Sequence, residues 1–165
     1  MAKKIDYPTH LDEDGRAHIV DISEKEISLR VATASASVRM NPRTLGAIQS
    51  ETVPKGDVFA VARVAGIMAA KKCADLIPLC HPLPLSSVEI SLTPDPELPG
   101  VIVQAICKVS GRTGVEMEAM TSVSVAALTL YDMCKSMDRG ITISDIKLIH
   151  KSGGISGEWK AECQD

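Results

Sequence analysis

The sequence predicts an α+β domain of the ferredoxin-like, split βαβ class, a four-stranded antiparallel sheet with helices on one face. Three observations lead there. Stretches with strand-like patterning fall near residues 29–40, 86–93, 101–109 and 141–149. Helical periodicity occupies 56–74 and 115–137, between the first and second strands and between the third and fourth. The two middle strands adjoin through a turn carrying Pro and Gly, so they form a hairpin.

In chain order, residues 1–20 are polar and turn-rich, with Asp12-Glu13-Asp14-Gly15 among them. They read as an N-terminal arm able to order on a neighbour, followed by one domain over 21–165. Leu29, Val31, Val38 and Met40 alternate with small polar residues as a strand does. Asn41-Pro42 supplies an N-cap and a proline at the first helical position, opening a short helix to about Ser50. From Gly56, the positions Val58, Ala62, Ala65 and Ala69 with Val61, Val64 and Met68 give a broad apolar helical face. Ile77 to Pro84 cannot be regular, because its three prolines each remove a donor and fix φ. Gly111 and Gly114 punctuate a turn before the long helix, and Gly140 lies past its end. The last strand runs into the loop Lys151-Ser152-Gly153-Gly154.

Composition narrows the function. Apolar residues make up 45% of the chain, so it can build a core, but aromatics are only 2%, which leaves no platforms for stacking bases. A formal net charge of −3 also argues against nucleic acid as a partner. No apolar run reaches membrane-spanning length, so no membrane is expected. The five cysteines include no C-x-x-C pair and the N-terminus is not signal-like, so a cytoplasmic location is expected. The histidines and cysteines show no metal-ligand spacing, and no protein-held metal is expected.

The long helix carries the most chemistry. On a helical wheel Glu118, Ser122, Thr129 and Asp132 fall near one line, with Lys135 a turn beyond Asp132. The plain reading is a solvated polar stripe ending in an i,i+3 ion pair. The sharper reading makes Asp132 and Lys135 an acid–base pair, the lysine pKa lowered by a cationic or desolvated setting. Glu116 and Glu118 sit about 200° apart on a helix, so they cannot share a task if both are helical. The plain reading of each is a first-turn carboxylate that caps the helix and complements its dipole. Lys55-Gly56 before one helix and Lys151-Ser152-Gly153-Gly154 are two lysine-led turns of the kind that hold anions, with Lys71 and Arg112 as further charge. His81 in the proline-stiffened loop is either a presented hydrogen-bond donor or a structural histidine, and nothing marks Cys80 as a nucleophile.

These stretches together resemble one family. Lys55-Gly56-Asp57-Val58-Phe59-Ala60, Ala65-Gly66-Ile67, Leu76-Ile77-Pro78-Leu79-Cys80-His81-Pro82, Thr113 to Ala119, Ala126 to Lys135, and Lys151 to Gly154 are similar to the molybdenum-cofactor biosynthesis protein C (MoaC) family, in its order and spacing from about 14 to 160. The resemblance implies a lyase that converts (8S)-3',8-cyclo-7,8-dihydroguanosine 5'-triphosphate, made by a radical-SAM GTP cyclase, to cyclic pyranopterin monophosphate with release of diphosphate. It further implies a homohexamer, a trimer of dimers, with active sites at the dimer interface. By motif, Asp132 and Lys135 are implied as the acid–base pair. Leu79, Cys80, His81, Met117 and Glu118 are implied to line the substrate site, with Glu116 close by. Lys55, Lys71 and Lys151 are implied to hold phosphate or assist proton transfer, with Arg30 a further candidate on a looser match. Mg²⁺ accompanying the triphosphate is the one cofactor to consider. The competing readings are another purine- or pterin-triphosphate hydrolase or cyclase, and a non-enzymatic nucleotide-binding module.

Overall fold

In the computed structural model, residues 10–12 and 14–162 are described. Half of the expected N-terminal arm, residues 1–9 and 13, therefore lies outside the described residues, as does Cys163.

The centre of the molecule is β1 (Ser28–Arg39), which lies between β3 (Gly100–Gly111) and β4 (Thr142–Ser152) and pairs antiparallel with both. The hairpin partner β2 (Ser87–Asp95) forms one edge. The order β2-β3-β1-β4 is that of the split βαβ class. The expected four strands become five, because Trp159–Lys160, here β5, pairs with His150 and Lys151. Its two residues cover only the C-terminal end of β4, the end that carries Lys151. Pro94 is tolerated in β2 because an edge strand has one side free of ladder bonds.

Alternation sets which face is buried. Ala32, Ala34, Ala36 and Val38 of β1 are fully buried, as are Val101, Val103, Ala105, Cys107 and Val109 of β3. Against them lies α4 (Glu116–Cys134), through Ala119, Val123, Ala126, Ala127 and Leu130. Alanines on both sides let helix and sheet approach closely, which suits a core with 2% aromatics.

The other helical stretch divides. Helix α1 (Pro42–Gln49) starts as expected, with the Asn41 side chain accepting from the Arg43 amide. The predicted 56–74 helix is α2 (Val58–Lys71) followed by a separate turn, α3 (Cys73–Leu76). Asp57 caps α2 by accepting from the Ala60 amide at 2.9 Å. That carboxylate stands at the same helix end as Lys55-Gly56. Helices α2 and α4 pack side by side, and Ser122 donates to the Gly66 carbonyl at 3.0 Å.

Candidate active site

At the N-terminal end of α4 lies an open-mouthed cavity of about 420 Å³. Its lining includes Leu79, Cys80 and His81 from the proline loop, and Glu116, Met117 and Glu118 from the first turn of α4. These six were all named from the sequence, and the fold brings them together. Gly114 leaves room for the Glu116 carboxylate, which a Cβ there would push aside. That carboxylate folds back to meet Lys151 Nζ at 2.9 Å, so Glu116 does more than complement the dipole.

Glu118 departs from the expected solvated stripe. It is 4% exposed and Ser122 is fully buried, because α2 and α3 cover that flank of α4. Burial raises the Glu118 pKa, with the Glu116 charge adding to it, which favours the protonated acid. The nearby thiols respond to the same dry setting. Burial pushes Cys73 up to about 11 and Cys107 up to about 12, and raises Cys80 as well. Cys80 is thus a poor thiolate nucleophile and lines the cavity as a small apolar group.

His81 Nε2 lies 2.8 Å from the Val20 carbonyl. A carbonyl can only accept, so Nε2 carries a proton, and in the neutral ring Nδ1 is then the basic nitrogen. The donor function expected of His81 is therefore committed to the backbone.

A second, larger cavity of about 1090 Å³ adjoins the first, sharing Lys25, Thr113, Gly114 and Glu116 with it. Arg30, Arg112, Lys151, Gly153 and Gly154 also line it. Arg30 donates to the carbonyls of Gly111, Gly153 and Arg112, each at 3.4 Å, and so ties the 111–112 turn to the Gly153 loop. Gly153 and Gly154 have φ of +101° and +72°, and a Cβ on Gly154 would collide with the Arg30 guanidinium. Only glycine fits that approach. The expected loop of 151–154 starts two residues later, because Lys151 and Ser152 end β4.

The remaining sequence candidates lie elsewhere. Asp132 and Lys135 sit at the opposite end of α4, about 21 Å from Glu118 at the helical rise per residue. Lys135 Nζ is 2.6 Å from Asp132 Oδ1, and Lys55 Nζ is 3.0 Å from Oδ2 and 2.8 Å from the Asp132 carbonyl. All three side chains are about half exposed. The Lys135 hydrogen bond holds the Asp132 pKa below its ordinary value, with Lys55 helping, and the same bond raises Lys135. The expectation of a lowered lysine pKa is thus reversed within one chain, since pairing dominates where solvent already hydrates the ammonium. Lys71 lies at the end of α2 beside Leu83 and Ser86, in a separate shallow cavity.

Sequence reasoning missed Lys25, Val20 and Ile22, which reach the cavities from the segment before β1. No periodicity marks them. Among the described residues no cluster of three His, Cys, Asp or Glu side chains is placed to hold a metal ion, and no helix is long and apolar enough to cross a membrane.

The fold and these cavities define an α+β protein with an acid-bearing pocket adjoining a larger one lined by both basic and acidic side chains. The model of the MoaC family matches residues 19–154, and the chain belongs to that family. Proteins named cyclic pyranopterin monophosphate synthase are among its relatives. One from Dinoroseobacter shibae is 58% identical over 154 residues, covering 93% of this chain and 98% of its own length. One from a Nostoc species is 58% identical over 151 residues, covering 92% and 90%, and one from Cereibacter sphaeroides is 56% identical over 153, covering 93% and 96%.

Proposed function

We propose that this chain is a cyclic pyranopterin monophosphate synthase of molybdenum-cofactor biosynthesis. It converts the cyclic dihydroguanosine triphosphate supplied by a radical-SAM GTP cyclase to cyclic pyranopterin monophosphate and diphosphate. The observation that carries this reading is the pairing of cavities at the N-terminal end of α4. The smaller presents a buried acid and an imidazole anchored to the backbone, side chains of the kind a base rearrangement needs for proton transfer. The larger offers Lys25, Arg30 and Lys151 to a triphosphate, with Arg112 bonded to the Lys25 backbone.

Asp132, Lys135 and Lys55 enter the site from a second copy of the chain in this proposal, because α4 holds them too far from Glu118 to share one substrate. Lys71 completes the phosphate contacts. The assembly is a trimer of dimers, working in the cytoplasm, where the free Cys73, Cys80, Cys107 and Cys134 stay reduced. Mg²⁺ comes with the triphosphate, bound by its oxygens and water.

Turnover of the purified cyclic nucleotide to the cyclic phosphate and free diphosphate is the direct test. Binding without product would instead support a regulatory module. The shared site has its own test. Glu118→Gln and Lys135→Ala chains each keep about 1% of activity or less, and an equimolar hybrid recovers about a quarter of full activity, because half of the dimers are mixed and each holds one intact site. Recovery no greater than the sum of the parents would place all the groups on one chain's surface.

A further inference from the structure

The cation-lined cavity holds four basic side chains, and three already have partners. Arg30 is bonded to three carbonyls, Lys151 is paired with Glu116, and Arg112 Nε donates to the Lys25 carbonyl at 3.0 Å. Lys25 is different. Among the described residues its ammonium makes no hydrogen bond or ion pair, although Asp21, Glu24, Glu26 and Glu116 line the same cavity. It is also the one basic residue that lines both cavities.

Its backbone is held at both ends. The Asp21 carboxylate accepts from the Ser23 amide at 2.8 Å and from the Ser23 hydroxyl, and the Lys25 amide donates to the Ile22 carbonyl at 3.1 Å, closing the turn. On the far side Arg30 holds the Arg112 carbonyl, and Arg112 in turn holds the Lys25 carbonyl. A chain of two arginines thus fixes a lysine whose charged end is uncommitted.

Resting on the proposed lyase reading, we infer that Lys25 is a catalytic residue for the phosphoryl step, contacting the α-phosphate where the two cavities meet, with Arg112 as its positioning residue. The heterocycle occupies the smaller cavity and the β- and γ-phosphates the larger, so the α-phosphate must lie at the seam lined by Lys25, Thr113, Gly114 and Glu116. In that step a substrate hydroxyl oxygen forms a bond to the α-phosphorus and gives its proton to a base. The bond from that phosphorus to the bridging oxygen breaks, and its electron pair leaves on diphosphate. The Lys25 ammonium offsets charge growing on the α-phosphoryl and bridging oxygens.

The test compares the full-length wild-type chain with Lys25→Met, Lys25→Arg and Arg112→Ala, reading kcat and KM for diphosphate release and Kd for inorganic diphosphate by calorimetry. Lys25→Met is expected to lower kcat by about a hundredfold, as for loss of one transition-state donor, with Lys25→Arg keeping a measurable part. It also weakens diphosphate binding, and Arg112→Ala has little further effect in the Lys25→Met background, as a residue acting through Lys25 requires. Lys25→Met turnover and diphosphate affinity both within about threefold of wild type, well short of what one lost donor costs, would overturn the inference. Its failure is distinct from failure of the lyase reading. In the latter case wild type itself releases no diphosphate from the cyclic nucleotide, while the difference in diphosphate Kd still reports on Lys25.

Discussion

The two ends of α4 carry similar residue types in opposite physical states. At the N-terminal end Glu118 is buried, and the cost of desolvation raises its pKa and that of the surrounding thiols. At the C-terminal end Asp132 lies between Lys55 and Lys135 in water, and pairing drives acid and base toward their charged forms. One end is set by burial, the other by partners. A buried acid is ready to give a proton as it stands. An exposed ion pair becomes reactive only when something dries it or separates its members, and a docked second copy with substrate would do both.

Substitutions sharpen this contrast. The largest expected effect is at the exposed end, where Lys135→Ala lowers kcat by about a thousandfold, within the range for a lost acid–base group. Its melting temperature stays close to wild type, because an exposed ion pair contributes little to stability. A large loss of stability would show that the pair is structural. At the buried end Glu118→Gln keeps shape and burial, and lowers kcat by about a hundredfold.

That same variant reports on desolvation through pH. With the folded-state pKa of Glu118 above its ordinary value, the native state binds the extra proton and the unfolded state releases it first. Wild-type stability from this group is full at acid pH and falls as pH rises through the usual glutamate range to the folded pKa. Glu118→Gln lacks that decline, so melting temperatures of the two proteins should diverge progressively with rising pH. Parallel curves would mean that Glu118 is solvated in the native state. Lys135→Ala gives the contrasting case, with no such divergence across neutral pH.

The smallest effect on chemistry belongs to the scaffold of the cation-lined cavity. Gly154→Ala puts a side chain at φ +72° and into the Arg30 guanidinium. A destabilisation of about 1–3 kcal/mol is expected by chemical denaturation, with KM raised more than kcat is lowered. Unchanged stability would show that the loop readily moves off Arg30.

How much was legible beforehand differs between the same two regions. Leu79-Cys80-His81 and Glu116-Met117-Glu118 lie in distinctive local runs, and their convergence follows from a proline-stiffened loop packed against one helix turn. The Asp132–Lys135 pair was equally visible as an i,i+3 spacing. Its reversed lysine pKa was not, because the approach of Lys55 across 77 residues of chain cannot be read from local pattern. Lys25 was invisible for a related reason. It stands in an ordinary polar turn, and only the Arg30–Arg112 chain gives it a fixed place between two cavities.

Alternation and helical periodicity in this sequence were enough to determine the strands, the long helix and the split βαβ order, because burying one face of each element leaves few arrangements. The fifth strand, the break between α2 and α3 and the burial of Glu118 were decided by tertiary structure alone. Each depends on which distant surface arrives to exclude water or accept a hydrogen bond, and a one-dimensional pattern carries no record of that. Even Gly153 and Gly154, plain as a turn in the sequence, show their full need for glycine only when β1 is laid against them, the Leu29 backbone on Gly153 and the Arg30 guanidinium on Gly154.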